Sequence, residues 1–222
     1  MRYIAKQNID PELEILLENA LKNNLKWEEF KQGKKALRLH LYNEQQGLCA
    51  YSEISLDIFG FHIDHIKPKG NKKFAHLRFT PTNLLASAID DRSRIEKKLD
   101  LFGGHKKLEN EIPIDPTQAN CAHYFQYNPN GKIQAKPTLS EAEQLQAEQT
   151  ITCLGLCCQL LINKRKDLYK KLNQELSYLL DDDIALDEYI NAYLSVDEFG
   201  KLKPFQSLAR QIFNKPACNG GK

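Results

Sequence analysis

An aspartate and a histidine stand side by side at the end of a short apolar segment, where the chain has to turn. Asp64 and His65 follow residues 61–63, and the sequence Lys-Pro-Lys-Gly occupies positions 67–70. Proline and glycine rarely continue a regular strand, so we expect a strand to end here. Because neighbouring side chains of a strand point to opposite faces, only such an end lets Asp64 and His65 serve one site.

This pair has the chemistry that metal-assisted hydrolysis of a phosphodiester needs. The reaction requires a hard oxygen ligand for the cation and, within reach of it, a base with a pKa near neutrality. Asp64 can supply the first and His65 the second, while Lys67 and Lys69 can attract a phosphate. An isolated Asp-His pair is more often part of a turn between solvated lysines, so the interpretation depends on later segments.

Two later segments add an asparagine and another histidine, Asn83 and His105. The order His65, Asn83, His105 resembles that of the HNH endonucleases, whose ββα-metal element uses three such residues. The resemblance implies that Asp64 and His105 bind the metal ion and that His65 activates water. It also implies that Asn83 braces the loop that carries the base.

A longer series of motifs is similar to the PtuB-type HNH proteins of Septu and retron anti-phage systems. The matching strings lie, in order, at residues 45–53, 63–69, 83–87, 104–107 and 114–116. This resemblance implies a divalent metal ion, with Mg2+ favoured and Mn2+, Ni2+ or Zn2+ as alternatives. It implies a PtuA-type ABC ATPase as partner, and a retron reverse transcriptase with its msDNA is a further candidate. The chain has no Gly-x-x-x-x-Gly-Lys-[Ser/Thr] loop of its own, so any ATP dependence would come from a partner.

The cysteine pattern departs from that family. Many members carry Cys-x-x-Cys where this chain has Cys49 and Ser52, and a second cysteine pair near Ala88 and Gly103. Four thiolates there would form a structural zinc site. Since only Cys49 remains, we expect no four-cysteine zinc, and we expect apolar packing to hold the element together.

Basic residues crowd the region of the motifs, although the formal net charge of the chain is only +2. Any nucleic-acid surface must therefore be local. Lys106 and Lys107 join Lys67 and Lys69 as candidate nucleic-acid contacts. The remaining basic residues of this region are Lys72, Lys73, Arg78, Arg92, Arg94, Lys97 and Lys98.

Nothing in the sequence indicates a membrane or a secreted protein. It contains no apolar run of about 18 residues, and the first residues lack a signal-peptide core. We expect a cytoplasmic protein. Cys153, Cys157 and Cys158 fall inside a helical pattern and are expected to be small buried residues in a reducing compartment.

Helical patterns flank the motif region, which predicts an α+β fold that is mainly α, with a small ββα-metal element embedded in a helical body. Asp10 caps a first helix, and a second is expected over residues 27–44. A capping box at Ser140 and Glu143 begins a long helical pattern that continues to about residue 162. The expected divisions are N-terminal helices at 1–45, the HNH element with basic loops at 46–135 and a helical region at 136–222.

Within the motif region, residues 49–66 are expected to form the two strands of the metal element. Residues 82–86 are expected to begin a helical or turn segment, residues 88–101 a helix, and residues 121–133 a hairpin. His62, Asp115 and His123 are further candidates for the site, although a partly buried histidine, an Asp-Pro turn and a strand residue are the more common interpretations.

The sequence therefore predicts a metal-dependent endonuclease that acts on DNA as an anti-phage effector. Two alternatives stay open. Some retron-linked relatives are thought to act on RNA, so a tRNA nuclease is one. The other is a catalytically degenerate HNH scaffold that only binds the partner or nucleic acid.

Overall fold

The computed structural model describes residues 1–90 and 101–217, and its centre is one pair of antiparallel strands. Strand β1 spans Phe61–His65 and strand β2 spans Leu84–Ala88. The pairing register runs from Phe61 opposite Ala88 to His65 opposite Leu84. The strand predicted to end at residues 67–70 is therefore present and stops at His65.

Helices lie on both sides of this strand pair in the sequence. Three helices precede β1 in the chain: α1 (Pro11–Lys22), α2 (Lys34–Glu44) and α3 (Leu56–Phe59). After β2 come the short helix α4 (Gly104–Lys107) and a hairpin of β3 (Phe125–Tyr127) and β4 (Ile133–Ala135). The last helices are α5 (Glu141–Cys153), α6 (Gln159–Ser177), α7 (Asp183–Leu194) and α8 (Gln206–Ile212).

The second strand of the central pair is not where the sequence indicated. Residues 48–66 hold only an isolated bridge between Leu48 and Ser55, the helix α3 and strand β1. The partner of β1 is β2, in the segment expected to be helix or turn. All five β2 residues are buried, and a short, mostly apolar run of this kind does not distinguish a strand from a buried helix. The expected helix over 88–101 falls mostly on residues 91–100, outside the described part.

Helix α2 begins later than expected, at Lys34. Gly33 precedes it, and a Cβ at that position would collide with the Phe30 ring. The preceding turn lets Trp27 pack among Phe30 and Phe79, with ring centroids 6.0 and 5.6 Å from it. Trp27 is accordingly a core residue.

The long C-terminal pattern is two helices with a sharp turn between them. The capping box is confirmed, because Ser140 and Glu143 exchange side-chain and backbone hydrogen bonds. Gly155 has a φ of +60° and ends the pattern. The turn contacts the residue that precedes α4, since Gly103 N donates to Leu154 O at 2.8 Å. The turn also exposes Cys157, so the prediction that this cysteine is buried is wrong.

Helix α2 is joined to the strand pair through the amide of Gln45. This fully buried side chain donates through Nε2 to Leu48 O and Ala86 O, both at 2.8 Å, and accepts from Ala86 N at 2.7 Å. The Gln45 amide thus pairs with the backbone N–H and C=O of Ala86, the middle residue of β2, and with the backbone C=O of Leu48. Within the described residues, no helix is both long and apolar enough to cross a membrane.

Replacing Gln45 with leucine is expected to destabilise the fold by roughly 2–4 kcal/mol, because it leaves buried backbone groups without partners. Urea unfolding measures the change. The exposed Gln32→Leu substitution is the matched control and should stay within about 0.5 kcal/mol of the wild type. Equal stability of the two variants would contradict a structural role for Gln45.

Candidate active site

Asp64 lies on the face of β1 that meets Tyr51 and helix α4. Its Oδ2 accepts a hydrogen bond from the Tyr51 hydroxyl at 2.6 Å and lies 3.6 Å from Lys107 Nζ. Burial and the Asp64 carboxylate raise the pKa of Tyr51, so the phenol keeps its proton and donates. These contacts fix one oxygen of Asp64 and leave Oδ1 directed towards Gly104.

Lys107 lies inside the protein rather than on its surface. Its Nζ donates to His65 O at 2.8 Å and to Leu108 O at 3.3 Å, and the residue is fully buried. Its positive charge therefore faces the Asp64 carboxylate and the end of β1. A buried ammonium held this way supports the strand end, which differs from the phosphate contact expected from the sequence.

His65 is still part of β1, so its side chain leaves the strand on the face opposite to that of Asp64. The expectation that the strand end would direct both side chains into one site is therefore not met. Its Nε2 lies 2.9 Å from Arg78 O, and its ring packs edge-on against Trp27 with centroids 4.5 Å apart. A carbonyl can only accept, so Nε2 carries the hydrogen and Nδ1 keeps the lone pair. Burial lowers the pKa of His65 from 6.5 to about 4. The ring is therefore neutral at neutral pH.

This pKa predicts a pH-dependent share of the stability. Between pH 6.5 and about 4 the unfolded chain takes up a proton at His65 that the folded chain does not, so stability falls as the pH drops through this range. The loss should approach roughly 3 kcal/mol. Urea unfolding at pH 7 and pH 4.5 is expected to show a smaller pH dependence in His65→Gln than in the wild type. The same pH dependence in both proteins would contradict the assigned environment of His65.

Asn83 joins the two ends of the loop between β1 and β2. Its Oδ1 accepts from Lys67 N at 2.7 Å, and its Nδ2 donates to Lys67 O and Leu77 O, both at 3.1 Å. The Asn83 backbone also accepts from Ile66 N at 2.9 Å. The side chain therefore closes the loop that begins directly after His65, a bracing geometry of the kind expected from the sequence.

His105, from α4, lies against His62 of β1. The two rings stack with centroids 3.9 Å apart and an interplanar angle of 30°. Both rings contact one carbonyl oxygen, Ile89 O, which lies 2.8 Å from His62 Nδ1 and 3.1 Å from His105 Nε2. Each of these nitrogens must donate. In this arrangement His105 Nε2 carries a hydrogen and is not a lone-pair donor for a metal ion.

Gly104 lets the backbone of α4 approach Asp64 and His62 so closely that a side chain at this position would collide with both. A Cβ at position 104 would lie 2.5 Å from His62 Nε2 and 2.8 Å from Asp64 Oδ1. An imidazole nitrogen and a carboxylate oxygen thus converge on one point, and both are metal-binding atoms. This donor pair fits a divalent cation that takes its other ligands from water and substrate. No set of three or more His, Cys, Asp or Glu side chains in residues 1–90 and 101–217 is arranged to hold a metal ion.

The other predicted basic contacts lie at or near the surface. Lys67 Nζ pairs with Glu111 and Lys69 Nζ pairs with Glu28, each at 2.7 Å. Lys106 is exposed at the outer side of α4. The basic residues predicted at 92–98 lie outside the described part of the chain.

The remaining candidates lie in other environments. Asp115 accepts from Thr117 N at 2.8 Å and from Thr117 Oγ1, which is the turn expected there. His123 is exposed in a short 3-10 helix. Cys49 is buried and its Sγ accepts from Ala88 N at 3.2 Å. Tyr51 was not among the predicted site residues, because no local pattern identifies it as the partner of Asp64.

Comparison with known proteins supports the resemblance to HNH endonucleases. No family model matches the sequence. The chain is 30% identical over 145 residues to a Vibrio cholerae serotype O1 biovar El Tor protein named "Retron Vc95 putative HNH endonuclease". The aligned part is 65% of this chain and 68% of that protein. The chain therefore belongs to the HNH endonuclease family.

Proposed function

We propose that this protein is a metal-dependent endonuclease that hydrolyses phosphodiester bonds, with DNA as the favoured substrate, in an anti-phage defence system. The observation that carries the proposal is that Asp64, with its Oδ1 directed towards α4, directly precedes His65 at the end of β1, although the two side chains leave the strand on opposite faces. Asn83 closes the loop that follows the Asp-His pair, and α4 packs Lys107 and Gly104 against the same pair. Family membership supports the nuclease chemistry.

His65 is the proposed general base. Its Nε2–H is held by Arg78 O, so Nδ1 is the atom that takes a proton from the attacking water. Burial lowers the pKa of the ring to about 4, so the ring is neutral at neutral pH but a weaker base than one whose pKa lies near the working pH. Trp27 and the Arg78 carbonyl fix the ring orientation, and Asn83 fixes the loop that follows it.

Asp64 is the proposed carboxylate ligand. The family resemblance adds His105, but its Nε2 donates to Ile89 O in this structure. A bound divalent cation supplies a Lewis acid that polarises the scissile phosphate and stabilises the leaving oxygen. Tyr51 and Lys107 orient Asp64 by contacting Oδ2, which leaves Oδ1 for that role. Lys107 also keeps the backbone of His65 in place through its bond to the carbonyl.

Surface lysines are the proposed contacts to the phosphate backbone. Lys67 and Lys69 form exposed ion pairs, and such pairs contribute little stability, so a phosphate can replace the glutamates. Lys106 is exposed on α4. Contacts of this kind position nucleic acid without reading its sequence.

A structured RNA such as tRNA is the second candidate substrate. The specific observation in its favour is that the related Vibrio protein is named as part of a retron. An ABC-type ATPase of the PtuA kind and a retron reverse transcriptase with its msDNA are the proposed partners.

The test is a cleavage assay on plasmid DNA and total tRNA in parallel. The protein is assayed purified alone and as a complex isolated from its native cells, with Mg2+, with Mn2+ and with a chelator. The expected result is cleavage of plasmid DNA that the chelator abolishes. Cleavage of tRNA alone would select the second substrate. No metal-dependent cleavage in any preparation would contradict the proposal and favour a degenerate scaffold.

A further inference from the structure

We propose that His62 is a ligand of the metal ion that Asp64 binds, and that this imidazole–carboxylate pair selects a first-row transition cation over Mg2+. The inference rests on the proposed function, because it concerns the cation of the same site. His62 stands on β1 two residues before Asp64. Side chains two residues apart on a strand project from the same face, so the two donors share one side of the strand pair.

The hydrogen bond of His62 uses Nδ1, so Nε2 is the ring nitrogen available to a metal ion. Its Nδ1 lies 2.8 Å from Ile89 O, and a carbonyl oxygen can only accept. Nδ1 therefore carries a hydrogen, so Nε2 is the nitrogen that can offer a lone pair to a metal ion. A neutral imidazole that donates one N–H to a backbone carbonyl is the usual arrangement of metal-binding histidines.

The lone pair of His62 and the open oxygen of Asp64 are directed to one place. A Cβ on Gly104 would lie 2.5 Å from His62 Nε2 and 2.8 Å from Asp64 Oδ1. Asp64 Oδ2 is already bound to the Tyr51 hydroxyl at 2.6 Å, so Oδ1 is the oxygen left for a cation. The backbone of α4 approaches both donors closely because position 104 has no side chain.

The His62 ring is held in this orientation from two sides. His105 stacks on it with ring centroids 3.9 Å apart and donates to the same carbonyl, Ile89 O. Ile89 has a φ of +74°, which is rare and costly for a β-branched residue. A strained peptide group thus holds both imidazoles. His105 is, on this view, a positioning residue for His62, and His62 Nε2 is the imidazole ligand.

The donor pair determines which cation is preferred. Mg2+ takes oxygen ligands and keeps most of its waters. An imidazole nitrogen binds Ni2+, Co2+ or Zn2+ more strongly, and affinity for a nitrogen-containing site rises from Mn2+ to Ni2+. With one nitrogen and one oxygen from the protein, we expect Ni2+ to bind more tightly than Mg2+ by at least about tenfold.

Isothermal titration of the untagged protein with Ni2+ and with Mg2+ tests the assignment without depending on catalysis. The wild type is expected to bind one Ni2+ per chain. His62→Gln should weaken Ni2+ binding by at least about tenfold and change Mg2+ binding by less than about threefold, because only the nitrogen ligand is lost. Circular dichroism establishes that the variant is folded.

A second variant keeps both donor side chains. Gly104→Ala places a methyl group at the point on which His62 Nε2 and Asp64 Oδ1 converge, and it should weaken binding of both ions. Gly70→Ala is the matched control, because a Cβ there meets the flexible end of Glu109. It should bind both ions as the wild type does.

The inference is overturned if folded His62→Gln binds Ni2+ as tightly as the wild type, or if the wild type prefers Mg2+. Cleavage assays on the same preparations separate this failure from that of the nuclease proposal. If the wild type cleaves with metal while the His62 variant keeps its Ni2+ affinity, only the ligand assignment fails. A wild type that binds neither ion and does not cleave overturns both.

Discussion

Replacing Lys107 with methionine is expected to destabilise the protein by roughly 2–4 kcal/mol, a large effect for a lysine. The ammonium is fully buried, lies 3.6 Å from Asp64 Oδ2 and donates to His65 O at 2.8 Å. Methionine fills similar space but removes the charge and the donor. The Asp64 carboxylate then retains its hydrogen bond from the Tyr51 hydroxyl but loses the ion pair with Lys107. The His65 carbonyl loses the hydrogen bond from Lys107 Nζ.

The neighbouring residue provides the control for that substitution. Lys106 is exposed on the same short helix, so Lys106→Met should change the free energy of unfolding by less than about 0.5 kcal/mol. Urea unfolding of both variants measures the contrast. Equal effects at positions 106 and 107 would contradict the buried role of Lys107.

His65→Gln is expected to reduce the cleavage rate by about 10²–10⁴-fold, the usual loss when a general base is removed. Glutamine can still donate to Arg78 O and occupies similar volume, so the fold at pH 7 should persist. Substrate binding should change little, because the proposed role of His65 is proton transfer to Nδ1. Single-turnover cleavage with saturating enzyme measures the chemical step.

The exposed His123 is the matched control for this experiment. His123→Gln should cleave at the wild-type rate. A rate for His65→Gln within about twofold of the wild type would contradict its assignment as the base, because that role requires the loss given above.

Local sequence signals predicted the parts of the fold that local chemistry determines. Asp10 does accept hydrogen bonds from Glu12 N and Leu13 N at the start of α1. The capping box of α5 and the end of β1 also follow from residue types at fixed spacings. These features depend on neighbours within a few residues, which the sequence displays directly.

Features that depend on tertiary contacts were missed. Strand β2 is buried at every position, so its apolar run carried no period of two. The break between α5 and α6 requires Leu154 O to meet Gly103 N, which no local pattern reveals. Lys107 looked like a surface cation because a run of basic residues contains no sign of which member turns inward.

In the candidate site too, the sequence identified individual residues, whereas their contacts depend on tertiary packing. Asp64, His65 and Asn83 were identified from motif order, and His62 was noticed because it precedes Asp64 by two positions. The stacking of His62 on His105, the shared Ile89 carbonyl and the Tyr51 contact depend on how β1, β2 and α4 pack. Motif spacing contains no information on these contacts.

The most direct test of the central claim is a double-mutant cycle on the single-turnover cleavage rate. Asp64→Asn, His65→Gln and the double variant are compared with the wild type. Since both residues act on one chemical step at one site, the double variant should cleave about as slowly as the slower single variant. Losses that simply multiply, or wild-type cleavage by either single variant, would contradict a shared active site at the end of β1.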